Sequence, residues 1–104
     1  MDFKREVIFC IVNAGFSDTV MDAAKACGAT GGTVIKARGT ANPEAENFFN
    51  ISIQPEKEMV MILIDSNQKD EILRALYKTA GLNTPGKGIA FSLPVDDAVG
   101  LDKK

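Results

Sequence analysis

Histidine is absent from this chain, and its absence removes a great deal of chemistry. Ser-His-Asp and Cys-His catalysis are excluded, as are zinc sites of the usual imidazole-containing kinds. Any enzyme has to work with carboxylates, lysine, Tyr77 or a bound cofactor. The 2 cysteines, Cys10 and Cys27, make no C-x-x-C pair. Cys10 lies in an apolar run and Cys27 at the end of a helical pattern, so both read as reduced, buried thiols rather than a disulfide or a soft-metal site. Long hydrophobic runs are also missing. The longest, Met59 to Ile64, is far short of the ~20 residues of a membrane span. Met1-Asp2-Phe3-Lys4-Arg5-Glu6 leads directly into a strand pattern with no leader-like segment, so a cytoplasmic location is expected. The formal net charge is −2 with mixed signs and no basic run, which points away from nucleic acid as a partner.

With 104 residues, the chain fits a single domain whose modest core invites oligomerisation. Val7-Ile8-Phe9-Cys10-Ile11-Val12 and Met59-Val60-Met61-Ile62-Leu63-Ile64 read as fully buried strands. Thr33 to Arg38 and Gly88 to Leu93 read as two more, the last stopped by Pro94. Between them lie two amphipathic helical patterns. Val20, Met21, Ala24 and Cys27 share one face, with Ser17 as a capping residue and Gly28 as the residue that ends the helix. Ile72, Leu73, Leu76 and Ala80 share the other, with caps from Asp65-Ser66-Asn67, an Asp70–Arg74 pair, and Gly81 at the end. Residues 39 to about 50 have no clear period. Ile51-Ser52-Ile53-Gln54 alternates like the arm of a hairpin.

The order is β-α-β-β-α-β, which predicts an α+β, ferredoxin-like sandwich. It has a four-stranded antiparallel sheet, the two apolar strands central and both helices on one face. Strands apolar on both sides need cover on the second face, and further copies of the chain are expected to supply it. Two glycine-rich turns stand out, Gly28-Ala29-Thr30-Gly31-Gly32-Thr33 and Gly81-Leu82-Asn83-Thr84-Pro85-Gly86-Lys87-Gly88. Glycine lets backbone N–H groups approach an anion, and Lys87 adds a cation. A phosphate-bearing ligand is the expectation. Gly31-Gly32 also suits a plain helix-to-strand turn with positive φ, and Gly86-Lys87-Gly88 an ordinary turn with a solvated lysine. Glu44 and Glu46 read as loop acids that bind Mg²⁺ only with help from a ligand phosphate.

Phe16-Ser17-Asp18, Ala29-Thr30-Gly31-Gly32-Thr33-Val34, Met59 to Asp65 and Thr84-Pro85-Gly86-Lys87-Gly88-Ile89, in that order, resemble the nitrogen regulatory protein P-II family, and most of all its divergent P-II-like branch. The resemblance implies a single domain over residues 1–104, with a T-loop at about 39–57 and a tail at 94–104. It implies a homotrimer that senses a small metabolite without being an enzyme and carries no tightly bound cofactor. The effector would be an adenine nucleotide (AMP, ADP, ATP or cyclic AMP, with or without Mg²⁺) held between subunits. By the same resemblance Thr33 contacts adenine, Arg38, Gly39 and Thr40 sit at the base of the T-loop beside the nucleotide, and Ile62, Leu63 and Ile64 lie on the strand lining the base pocket. Thr84 to Gly88 sit where the phosphate-binding B-loop would be, with Gly86, Lys87 and Gly88 as its nucleotide-binding residues. Asn42, Glu44, Glu46, Phe48 and Phe49 fall in the T-loop, the segment that docks on a regulated protein such as a membrane transporter.

The chain departs from the family pattern in three places. Its only tyrosine, Tyr77, is on a helix, so modification of a T-loop tyrosine is not expected. Glu58, or Lys57 in a shifted register, stands where the family has a phosphate-binding lysine. The tail offers no counterpart of the C-terminal arginines that clamp phosphates, which makes AMP, ADP or a cyclic nucleotide as good an expectation as ATP. Two other functions fit the fold. One is a phosphate-ester or acyl-phosphate hydrolase using Lys87 and Arg38 to stabilise an anion, although no general base is evident. The other is a trimeric structural or metal-tolerance protein, although the lack of histidine and the apolar placement of both cysteines argue against soft-metal binding.

Overall fold

The computed structural model describes residues 4–40, 55–84 and 86–100. Its elements are β1 (Arg5–Asn13), α1 (Ser17–Ala26), β2 (Thr33–Arg38), β3 (Glu56–Asp65), a short 3-10 turn (Ser66–Gln68), α2 (Lys69–Thr79) and β4 (Gly88–Val95). The strands form one four-stranded sheet in the order β2-β3-β1-β4, and every neighbouring pair is antiparallel. This is the expected α+β, ferredoxin-like arrangement, with the two most apolar strands at its centre.

Strand alternation sorts the side chains of those central strands. Ile8, Cys10 and Val12 of β1 join Val60, Ile62 and Ile64 of β3 in one buried cluster. Val20 and Ala24 of α1, Ala29 after it, and Ile72 and Leu76 of α2 complete it. Both helices therefore cover one face. Cys10 is fully buried there, and burial pushes its thiol up to about 11. Cys27 is half-buried, and both cysteines are free. The intervening residues, Val7, Phe9 and Ile11 of β1 and Met59, Met61 and Leu63 of β3, face the side without helices.

The helix ends show where local sequence decides and where it does not. Gly28 follows α1 with φ +103°. Its N–H reaches the Lys25 carbonyl at 3.0 Å while the Ala29 N–H reaches the Ala24 carbonyl at 3.1 Å, the paired bonds of a Schellman stop. Gly81 plays the same positional part after α2, with φ +81°. Asp65 and Gln68 form a reciprocal capping box, with the Gln68 Oε1 accepting the Asp65 N–H at 3.0 Å. Ser17, by contrast, is the first residue of α1 and not its cap. The ion pair found among the described residues is not the expected Asp70–Arg74 but Lys69 with Glu6 of β1, at 3.7 Å.

Two boundaries and one turn also differ from expectation. Strand β4 continues through Pro94, opposite Glu6, to Val95, opposite Arg5. It is an edge strand, where proline's missing N–H costs no ladder bond if it faces outward. Strand β3 begins at Glu56, so Glu56 and Lys57 belong to the sheet and not to the preceding loop. Neither Gly31 nor Gly32 has a positive φ. Gly32 is needed for another reason: a Cβ there would lie 2.8 Å from the Met61 carbonyl oxygen and 3.2 Å from Ile62.

Candidate functional site

The close approach of Gly32 to β3 shapes the most pocket-like feature among the predicted site residues. A cavity of about 450 Å3 opens between the turn Thr30, Gly31, Gly32, Thr33 and the strand residues Val7, Met61 and Leu63. Its floor is apolar and its rim carries two threonines and a glycine backbone. That suits a flat apolar ring with polar edges. Of the three strand residues expected to line a base pocket, Leu63 lines this cavity. Ile62 and Ile64 are at 0% and 4% exposure, turned into the helix-covered core because side chains alternate along the strand. Neither offers its side chain to the cavity. Strand β2 pairs with β3 from Glu56 to Met61, so residues 62–65 run beyond β2 on that side of the sheet. Val7 and Met61 belong to the cavity but were not among the expected residues; strand pairing across β1 and β3 brings them there, and no local motif marks them.

Arg38, Gly39 and Thr40 lie at the far end of β2. The Gly39 N–H donates to the Pro55 carbonyl at 2.7 Å, which brings the two ends of the 40–54 segment together. Asn42, Glu44, Glu46, Phe48 and Phe49 lie outside the described residues, as does the Ile51 to Gln54 stretch. Arg38 stands opposite Glu56, and Lys36 opposite Glu58.

Gly86, Lys87 and Gly88 open β4. Gly86 has φ +84° and Gly88 φ +147°, so both use conformations that disfavour a side chain. The Lys87 N–H reaches the Thr84 carbonyl at 3.2 Å, and its ammonium sits 5.5 Å from the centre of the Phe16 ring. Lys87 is otherwise exposed and available to an anion.

These three groups do not meet within one chain. Thr33 is level with Met61 and Phe9, whereas Gly88 is level with Val12. The two positions are three residues apart along the strands and three strand spacings apart across the sheet, roughly 17 Å. Strands β2 and β4 are moreover the two opposite edges.

Glu58 is the residue whose role local sequence reasoning missed. Its Oε1 accepts the Gly15 N–H at 3.0 Å and the Ser17 N–H at 3.3 Å. A carboxylate from β3 thus serves the N-terminus of α1, where backbone donors lack helical partners. The Gly15 hydrogen bond is the chief reason its carboxyl stays below the usual glutamate range; the Ser17 bonds and Lys36 add to this against partial desolvation. The unfolded chain therefore holds this proton to higher pH than the folded chain does. The stabilisation is present above the ordinary glutamate pKa of ~4.3 and is lost as pH falls through the lower folded value. A melting series from about pH 7 to about pH 3 should show less acid sensitivity in Glu58→Gln than in the parent. Superimposable acid limbs would exclude this contribution.

Among the described residues, no group of three or more His, Cys, Asp or Glu is placed to hold a metal. No described helix is long and apolar enough to cross a membrane.

The comparisons agree with this architecture. The family model described as Nitrogen regulatory protein P-II matches residues 5–104. Among solved structures, Arabidopsis thaliana PII bound to citrate superposes with a TM-score of 0.72 at 24% identity, over 96% of this chain and 82% of that one. A PII-like signalling protein from Thermus thermophilus superposes with a TM-score of 0.66 at 18% identity, over 91% of this chain and 90% of that one. At these identities the structures speak for the fold. No curated protein sequence matches. With a sheet, a helix pair and a family match that together span nearly the whole chain, this protein belongs to the nitrogen regulatory protein P-II family.

Proposed function

We propose that this protein is a cytoplasmic homotrimeric sensor that binds a small anionic effector, an adenine nucleotide, between subunits and regulates a partner protein through the 40–54 segment. The observation that supports this reading is the separation of the site groups. The Thr30–Thr33 cavity lies toward one edge of the sheet and Lys87 at the other edge. A ring of copies that places the β2 side of one beside the β4 side of the next would unite them. Such a head-to-tail contact closes into a cyclic oligomer. The cavity would take the base, and Lys87 with the Gly86 and Gly88 backbone would take phosphate. Arg38, Gly39 and Thr40 would report occupancy to the segment that follows. The exposed apolar face, with Ile89 at 59% and Leu93 at 49% exposure, gives the copies a reason to associate.

Few cations are placed to meet a phosphate chain. Glu58 is committed to the N-terminus of α1 and brings negative charge. This favours an effector with one or two phosphates over three. Regulation needs no chemistry at the effector: a ligand shifts the following segment only as far as it binds one state better than another.

The test is isothermal titration with AMP, ADP, ATP and cyclic AMP, with and without Mg²⁺. Citrate is included because Arabidopsis PII binds it. The expected result is micromolar affinity for an adenine nucleotide, weakened roughly tenfold or more in Lys87→Ala, the worth of one charge-assisted hydrogen bond. Unchanged affinity in that variant removes Lys87 from the site. Binding of citrate alone moves the effector class to carboxylates.

A further inference from the structure

The turn at residues 13–17 does more than join β1 to α1. Three of its residues are hydrogen-bonded through their own backbone N–H, and one through its side chain, to the first three residues of β3. The Asn13 Oδ1 accepts from Lys57 Nζ at 2.6 Å. The Ala14 N–H donates to the Glu56 carbonyl at 3.1 Å. The Gly15 and Ser17 N–H groups both donate to the Glu58 carboxylate. The remaining residue, Phe16, is 47% exposed and lies under the Lys87 ammonium. The same turn is thus tied on one side to residues 56–58, which follow the 40–54 segment, and on the other to Lys87. Pro55 in turn holds the Gly39 N–H, so both ends of that segment are attached to the chain of contacts.

We propose that this turn is the relay between Lys87 and the base of the 40–54 segment, with Phe16 as the positioning residue that holds Lys87. The proposal rests on the reading of Lys87 as an anion-binding residue only for its physiological use; the mechanical link itself is a property of the free protein. With no anion bound, the ammonium rests on the ring and steadies the turn, which steadies Glu56, Lys57 and Glu58. An anion that draws Lys87 away removes the ring's partner. The turn then loosens from β3, and the change reaches Pro55 and Gly39. The route is short because Phe16 is itself the residue before the first turn of α1, its carbonyl accepting the Val20 N–H at 3.2 Å.

Amide hydrogen exchange at Ala14 reads the link directly, because that N–H bonds to Glu56 and has no part in the proposed effector site. In the ligand-free protein, Lys87→Ala and Phe16→Leu should each speed exchange at Ala14 by roughly two- to fivefold, the worth of an exposed cation–π contact. The double variant should add nothing to either single change, and Phe16→Tyr should exchange like the parent. Unchanged Ala14 exchange in Lys87→Ala overturns the relay. So does a double variant whose effect is the sum of the two, since that would reduce Phe16 to local packing. A second arm adds ADP with Mg²⁺ to the parent protein. If calorimetry shows binding, Ala14 exchange should rise as it does in Lys87→Ala, and a flat response with bound ADP overturns the relay. If neither ADP nor the other nucleotides bind, the effector reading fails while the ligand-free arm still decides the relay.

Discussion

Phe91→Glu is expected to abolish the proposed self-association while leaving the fold intact. Phe91 is 41% exposed in a single copy and lies on the face of the sheet without helices, stacked on Phe9 with ring centres 5.5 Å apart. Its neighbours on the same face of β4 are Ile89 and Leu93, and β1 and β3 supply Val7, Ile11, Met59, Met61 and Leu63 beside it. A contiguous apolar face of this kind marks an interaction surface, and a second copy of the chain is the proposed cover. The substitution removes a ring worth about 1.5–3 kcal/mol of burial and replaces it with a charge whose desolvation costs several kcal/mol more. Association should weaken by roughly a thousandfold or more. Light scattering at micromolar concentration should give a trimer for the parent and a monomer for the variant, with the same far-ultraviolet circular dichroism. A parent that is itself monomeric would mean that no second copy covers this face.

Gly88→Ala should cost roughly 3 kcal/mol or more of stability, more than any single surface change. Two causes act together. The residue adopts φ +147°, a region that side chains rarely enter. A Cβ built there would also sit 2.3 Å from the Ile11 carbonyl oxygen and 3.0 Å from Val12 Cγ1. The first of these neighbours is backbone in a central strand and has nowhere to go, because β1 is paired on both sides. Strand β4 would have to move away, taking Lys87 with it, so effector affinity should fall along with stability. Gly31→Ala is the contrasting variant, since a Cβ there meets nothing within 4 Å. Urea unfolding at one fixed protein concentration compares them. Equal midpoints for Gly88→Ala and the parent would contradict the packing described for β4.

The sequence carried the element order because each element announces itself locally. Two fully apolar runs could only be central strands, and Gly28 and Gly81 marked helix ends by a conformation that glycine adopts without strain. The site was less legible for a consistent reason: its parts are assembled by strand register and long-range contact. Ser17 looked like a cap because local chemistry favours it, but Glu58 does that work from a residue 41 positions away. Gly32 looked like a residue of special φ, but what it needs is room beside the Met61 carbonyl. Ile62, Leu63 and Ile64 looked equivalent as a run, but alternation gives the cavity only the middle side chain. Pro94 looked like the end of β4, yet an edge strand tolerates it.

The proposed effector site is built from two copies of the chain, the cavity of one and Lys87 of the next. Complementation between two variants tests it most directly. Gly31→Phe fills the cavity from a position with open space around its Cβ, and Lys87→Ala removes the cation. Each oligomer alone should bind adenine nucleotide weakly or not at all. Unfolding and refolding an equal mixture should restore parental affinity at about one site in four, those pairing an intact cavity with an intact lysine from a neighbour. A refolded mixture that binds no better than the two variants separately would place cavity and lysine in the same chain's site, or in no common site, and would contradict the account.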